Sequence, residues 1–249
     1  LIITVISALL LTTGCDLFIK TNKGQVDQKW YMGLTYEDDN GNDTDYTIGT
    51  DGTIAAVALE DGYGDEFGII KGEEAYLNIN TIIKNIDKRF YVDATNNLVM
   101  FTDATKTYKT KIGGKTINET ENTDYVISFM DGKNCYVNVK FVKKYVDFDY
   151  KVVKAEGKSP ARIVLKYTSG EKNQMTVKSN IEMRTKADYQ NLIVTTLKKN
   201  TKVTVLEESG DWTKVGTDDG FMGYVPAKKL KDKETKKTEF KSDADTYTH

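Results

Sequence analysis

The side chains that could carry covalent chemistry are few. Two cysteines, Cys15 and Cys135, and one histidine, His249, are all the thiol and imidazole groups in 249 residues. A thiol nucleophile needs a base, and the sole imidazole is the last residue, so Cys135 reads as a small buried apolar residue. Asp243 and Asp245 lie in a polar tail, with no flanking hydrophobic strand to hold a carboxyl pair in a cleft as sugar hydrolysis demands. The run Tyr36-Glu37-Asp38-Asp39-Asn40-Gly41-Asn42-Asp43-Thr44-Asp45 gathers carboxylates around a glycine, the raw material of a calcium loop. Its order fails the EF-hand pattern, and a solvated turn between Trp30-Tyr31 and Tyr46-Thr47-Ile48 explains it equally well. No catalytic residue, metal ligand or cofactor is therefore assigned. What remains is aromatic. Trp212, Phe221 and Tyr224 sit close together in ESGDWTKVGTDDGFMGYVPAKKL, residues 208 to 230, and are the candidate ligand-binding residues.

The segments that must hold those aromatics are short strands between tight turns. Val203-Thr204-Val205-Leu206, Trp212 to Val215 and Phe221 to Val225 read as strands, with turns at Ser209-Gly210-Asp211 and Asp218-Asp219-Gly220. About five such strands bury their apolar faces only by curling into a small barrel. Alternation puts Trp212, Lys214 and Gly216 on one face and Thr213 and Val215 on the other, without saying which is inside. Residues 175–230 resemble a bacterial SH3 domain. The carrying motifs are Met183-Arg184-Thr185, Gly210-Asp211-Trp212-Thr213-Lys214-Val215 and Asp219-Gly220-Phe221-Met222-Gly223-Tyr224-Val225. Asn200 stands where the family usually has Gly, and Tyr224 where it usually has Trp; Asn still tolerates left-handed backbone. The resemblance implies that Trp212 packs partly into the barrel. It also implies that the module either holds peptidoglycan or its peptides through an aromatic groove or acts only as a spacer.

Upstream, residues 25–170 contain a repeat. Ala75-Tyr76-Leu77-Asn78-Ile79 aligns with Cys135-Tyr136-Val137-Asn138-Val139, each a strand entering a short helix with Asn as N-cap. Ile79, Ile82, Ile83 and Ile86 then form an apolar stripe, and a hairpin follows in each copy. The predicted fold is thus an α+β domain of repeated strand–helix–hairpin units, followed by an all-β SH3-like small barrel. The stretch Tyr76 to Thr102, echoed at Tyr136 to Tyr167, resembles the copper amine oxidase N-terminal-like domain of secreted proteins. That resemblance implies a fold and no copper, since residues 25–170 contain no histidine.

The ends speak of location. LIITVISALLLTTGC is too short to span a bilayer and reads as the rear of a signal peptide over 1–15. Leu11-Thr12-Thr13-Gly14-Cys15 is similar to a bacterial lipobox, which would make Cys15 the lipidation site; conventional cleavage or a buried apolar strand are the alternatives. Residues 16–24 read as a linker, and 231–249, with Lys and Glu alternating and no apolar period, as a charged linker. This order of parts resembles the N-terminal half of clostridial-type family 18 glycoside hydrolases, whose catalytic domain would follow. Charge is nearly balanced, 35 Lys+Arg against 37 Asp+Glu, so no basic field is offered to nucleic acid. The expected role is a non-catalytic accessory protein on the outer face of the membrane, with peptidoglycan as partner and lipid on Cys15 as anchor.

Overall fold

The computed structural model describes residues 21–241. Cys15, Asp243, Asp245 and His249, and with them the leader and lipidation readings, lie outside the described residues.

The expected α+β domain is not what forms. The described chain is predominantly strand, 48% against 10% helix, so helices are caps on sheets and not a layer of their own. Seven strands make the first sheet, in the order Ser128–Asp131, Asn134–Asn138, Glu74–Asn78, Gly68–Lys71, Thr53–Ala58, Ala161–Lys166, Asp149–Val153. All its pairings are antiparallel except the one between Ala161–Lys166 and Thr53–Ala58.

The physical reason for the correction lies in the two repeat copies. Their strands are antiparallel neighbours at Val137↔Leu77, and Asn78 and Asn138 do cap the helical turns after them, accepting from the N–H groups of Asn80 and Lys140. Both asparagines are fully buried, and their amides donate to Glu66 and Glu74, which fixes their orientation. The first copy manages only Ile79–Thr81 before widening into a π-turn, Ile82–Ile86; the second reaches seven residues, Val139–Tyr145. Ile83 stays exposed, so the first stripe buries less than its spacing promises. The hairpins then diverge. Phe90–Asp93 and Leu98–Thr102 join Thr107–Lys111 in a separate three-stranded sheet, whereas Asp149–Val153 and Ala161–Lys166 extend the main one. One unit became a flap and the other an edge, so the repeat is not a fold repeat.

Phe90, Phe101, Phe141 and Phe148 fill the space between flap, helices and sheet, each contributing about 1.5–3 kcal/mol by burial. Cys135 belongs to this core, where burial pushes its thiol up to about 11 and keeps it neutral.

The second sheet also has seven strands: Ile193–Leu197, Ile181–Arg184, Met222–Pro226, Trp212–Gly216, Lys202–Ser209, Gly170–Val177, Leu230–Thr238. It contains the barrel, whose interior gathers Val177, Met183, Val194, Val203, Val215 and Val225. Asn200 takes φ +68, the left-handed turn its type allows. Residues 231–238, which in sequence look like solvated linker, run instead as the outer strand, paired with Gly170–Val177 from Val177↔Leu230 to Gly170↔Thr238. They are solvated all the same. Alternating charge suits an edge strand whose side chains meet water on both sides.

Candidate binding face

Trp212 opens its strand after the turn at Gly210, which adopts φ +58. Its strand pairs with Met222–Pro226 through Trp212↔Pro226, Lys214↔Tyr224 and Gly216↔Met222. The register settles which face is inside. Thr213, Val215 and Val225 are buried in the barrel, so Trp212, Lys214 and Tyr224 point to its outer side.

One end of that outer side is covered. Met222 packs on Ala58 and Val164 of the first sheet. Tyr31 donates from its hydroxyl to the Met222 carbonyl at 3.0 Å, and Tyr63 to the Gly220 carbonyl at 3.0 Å. Burial raises the Tyr31 phenol to about 12, with nearby Tyr224 adding to the effect, and burial lifts that of Tyr63 as well, so both remain donors at neutral pH.

The other end is open. There Trp212, half-buried, meets the edge of Tyr189, also half-buried, with ring centroids 4.8 Å apart at 61°. Tyr189 rides on the loop after Ile181–Arg184, and Arg184 fixes that loop from beneath. Arg184 is 1% exposed and donates from Nη1 to the carbonyls of Asn191 at 2.6 Å and Asn22 at 2.9 Å, while Nη2 pairs with Glu182. The N-terminal segment closes the arrangement: Asn22 N–H donates to the Tyr189 carbonyl at 2.9 Å, and Gln25 bridges Ile193 in parallel. At Gly223 a Cβ would stand 2.6 Å from the Arg184 carbonyl, so only glycine lets these two strands approach.

The three sequence candidates therefore part company. Trp212 and Tyr224 share the outer side. Phe221 does not join them; it is 8% exposed, packed in the barrel core, with the Arg162 guanidinium 4.3 Å from its ring. Arg162 comes from the first sheet and donates to the carbonyls of Asp219 and Pro160, which makes Phe221 part of a seam between the sheets. Sequence reasoning missed Tyr189 and Arg184. Arg184 lies in the first barrel motif, whereas Tyr189 is hidden in the polar loop Asp188-Tyr189-Gln190-Asn191.

The acidic stretch near residue 40 is a hairpin, Thr35–Glu37 against Asp43–Asp45. Asp38 accepts from the N–H groups of Asn40 and Asn42, and the Asn42 N–H foremost holds its carboxyl below the usual range.

Residues 179–231 match the family of bacterial SH3 domains. No curated protein and no solved structure matches the chain. The resemblances to a copper amine oxidase N-terminal-like domain and to family 18 glycoside hydrolases find no support in these comparisons.

Proposed function

We propose that the chain is a non-catalytic accessory protein of the cell envelope, exported and lipid-anchored at Cys15, whose SH3 module binds peptidoglycan. The reading is carried by the Tyr189–Trp212 pair on the outer side of the matched module. Two half-buried aromatic edges, one on a strand and one on a loop tied down by Arg184 and Asn22, offer a stacking surface that needs little ordering on binding. Tyr224 and Lys214 face each other across the strands on the same outer side, toward its covered end, where Tyr224 lies near Tyr31 and the Lys214 ammonium donates to the Asp61 carbonyl at 2.8 Å. Bacterial SH3 domains commonly bind cell-wall peptidoglycan, which supports the partner. The leader-like run ending in Cys15 supports the location.

The test is retention of the full chain on purified sacculi, compared with Trp212→Ala and Tyr189→Ala. Each substitution is expected to weaken retention at least about tenfold, the loss typical of an aromatic anchor. Retention of the full chain no greater than that of an unrelated protein, or unchanged in both variants, would remove the proposal.

A further inference from the structure

A second cleft lies far from the Tyr189–Trp212 pair in sequence and shares none of its residues. It has a volume of about 960 Å³, within the range that accommodates small ligands. Its walls come from the end of the π-turn, the flap corner, the end of helix Val139–Tyr145 and the two termini of the outer ribbon, Tyr167–Ser169 and Phe240–Lys241.

Its apolar surface is aromatic-rich. Tyr145, Tyr167 and Phe240 line it beside Ile86 and Val146, and all five are only partly buried. Partly exposed aromatic rings lining a concavity, with a few polar groups among them, are the kind of wall that ligand clefts present.

Its charges balance in number, with Asp87, Asp103 and Asp147 against Lys88, Arg89 and Lys241. Arg89 grips Asp87 with two parallel donors, Nε to Oδ1 at 3.0 Å and Nη2 to Oδ2 at 2.7 Å. Asp147 accepts the Lys241 N–H at 3.0 Å, and Asp103 accepts the N–H groups of Thr105 and Lys106, each at 2.8 Å. Ser169 Oγ accepts from Phe240 N–H at 2.8 Å, tying down the ring at the cleft's edge. A charged ligand entering here would lose its hydration without meeting an excess of opposite charge. A neutral ligand with many hydroxyls is favoured instead. Asp147, which accepts one bond from the Lys241 N–H, keeps lone pairs for a further donor, and hydroxyls both give and accept. The aromatic rings suit the flat C–H faces of sugar rings.

We propose that this cleft is a saccharide site, taking a short neutral glycan. It is independent of the SH3 module's ligand and stands or falls separately from it.

The experiment titrates chitotetraose, and separately N-acetyl-tetra-alanine amide, which is also neutral, into the isotope-labelled full chain while backbone amide shifts are followed. Saturable shifts are expected with the sugar at Asp147, Thr168, Ser169 and Lys241. Tyr167→Ala and Phe240→Ala should each weaken binding at least about fivefold, within the cost of losing one stacked ring. Because the shifts map the site in the unmodified chain, a variant that folds poorly does not leave the question open. The proposal is overturned if chitotetraose gives no saturable shift up to about 10 mM, a limit that excludes even weak specific binding. It is equally overturned if the peptide amide binds the cleft and the sugar does not. Shifts confined to the neighbourhood of Trp212 and Tyr189 overturn it too, while favouring the first site as the glycan's place.

Discussion

Arg162 shows how much one buried cation can organise. Its side chain is only 4% exposed, lies over the Phe221 ring, donates to two backbone carbonyls, and comes within 4.0 Å of the Asp219 carboxylate, which is itself half-exposed. Desolvation lowers its pKa, and Asp219 acts in the opposite direction; the guanidinium still stays charged at any ordinary pH. Its function in the fold is therefore to satisfy the Asp219 and Pro160 carbonyls where the two sheets meet. Arg162→Met keeps the stem's packing and removes the donors. It is expected to cost roughly 2–3 kcal/mol, the penalty for orphaning buried acceptors of a charged donor. Urea denaturation measures it, and a loss below about 0.5 kcal/mol, the level of an ordinary surface change, would show that the donors are dispensable. Nothing in the sequence marks Arg162 for this role, because its partners at the Asp219 turn lie more than fifty residues downstream. Trp212 is the opposite case: strand alternation alone pairs it with Lys214 and opposes it to Val215. Which of those faces is inward depends on the partner strand, Met222–Pro226.

At the scale of elements, the barrel was legible because its strands are bounded by glycine turns of fixed chemistry, such as Gly210 and Gly220, both with positive φ. The helical part was misleading. Asn78 and Asn138 gave true capping signals, but a cap says where a helix starts and not how far it runs. Downstream, tertiary pairing overrode the local pattern and drew the two hairpins into different sheets. The outer strand Leu230–Thr238 was illegible for a related reason. An edge strand wet on both sides has no hydrophobic period, so Lys231 to Thr238 carries the composition of a linker. Its pairing partner, Gly170–Val177, is the strand that connects the first sheet to the barrel. Ending the chain after Leu230 strips that strand of one neighbour and exposes its ladder groups. The midpoint of thermal unfolding is expected to fall by about 2–8 °C, corresponding to a loss of roughly 1–2 kcal/mol in a chain of this size, with hydrogen exchange accelerating first at Lys172 to Gln174. An unchanged midpoint would mean that Leu230–Thr238 only rests on the sheet.

For the molecule as a whole, the decisive feature is that the barrel's interior is not furnished by the barrel alone. Val26, Met32 and Leu34 enter it from the N-terminal segment, and Ala56 from the first sheet, alongside Val177, Val215 and Val225. Arg184 borrows a carbonyl from Asn22, and Phe221 is covered by Arg162. The matched stretch, residues 179–231, lacks Val26, Met32, Leu34, Ala56 and Val177 of that core, and Asn22 and Arg162 besides. A barrel so small has little core to spare, and losing these buried apolar groups removes a sum comparable to the stability of a domain of that size. The two sheets should consequently unfold together. Calorimetry of the full chain is expected to give one transition, with calorimetric and van't Hoff enthalpies agreeing. Residues 179–231 expressed alone should show poorly dispersed amide resonances, and adding back 21–178 within one chain should restore them. Two separated transitions, or a well-dispersed spectrum from the short piece, would make the barrel an autonomous bead. In that case the first sheet would be a neighbour of the Tyr189–Trp212 face and not its support.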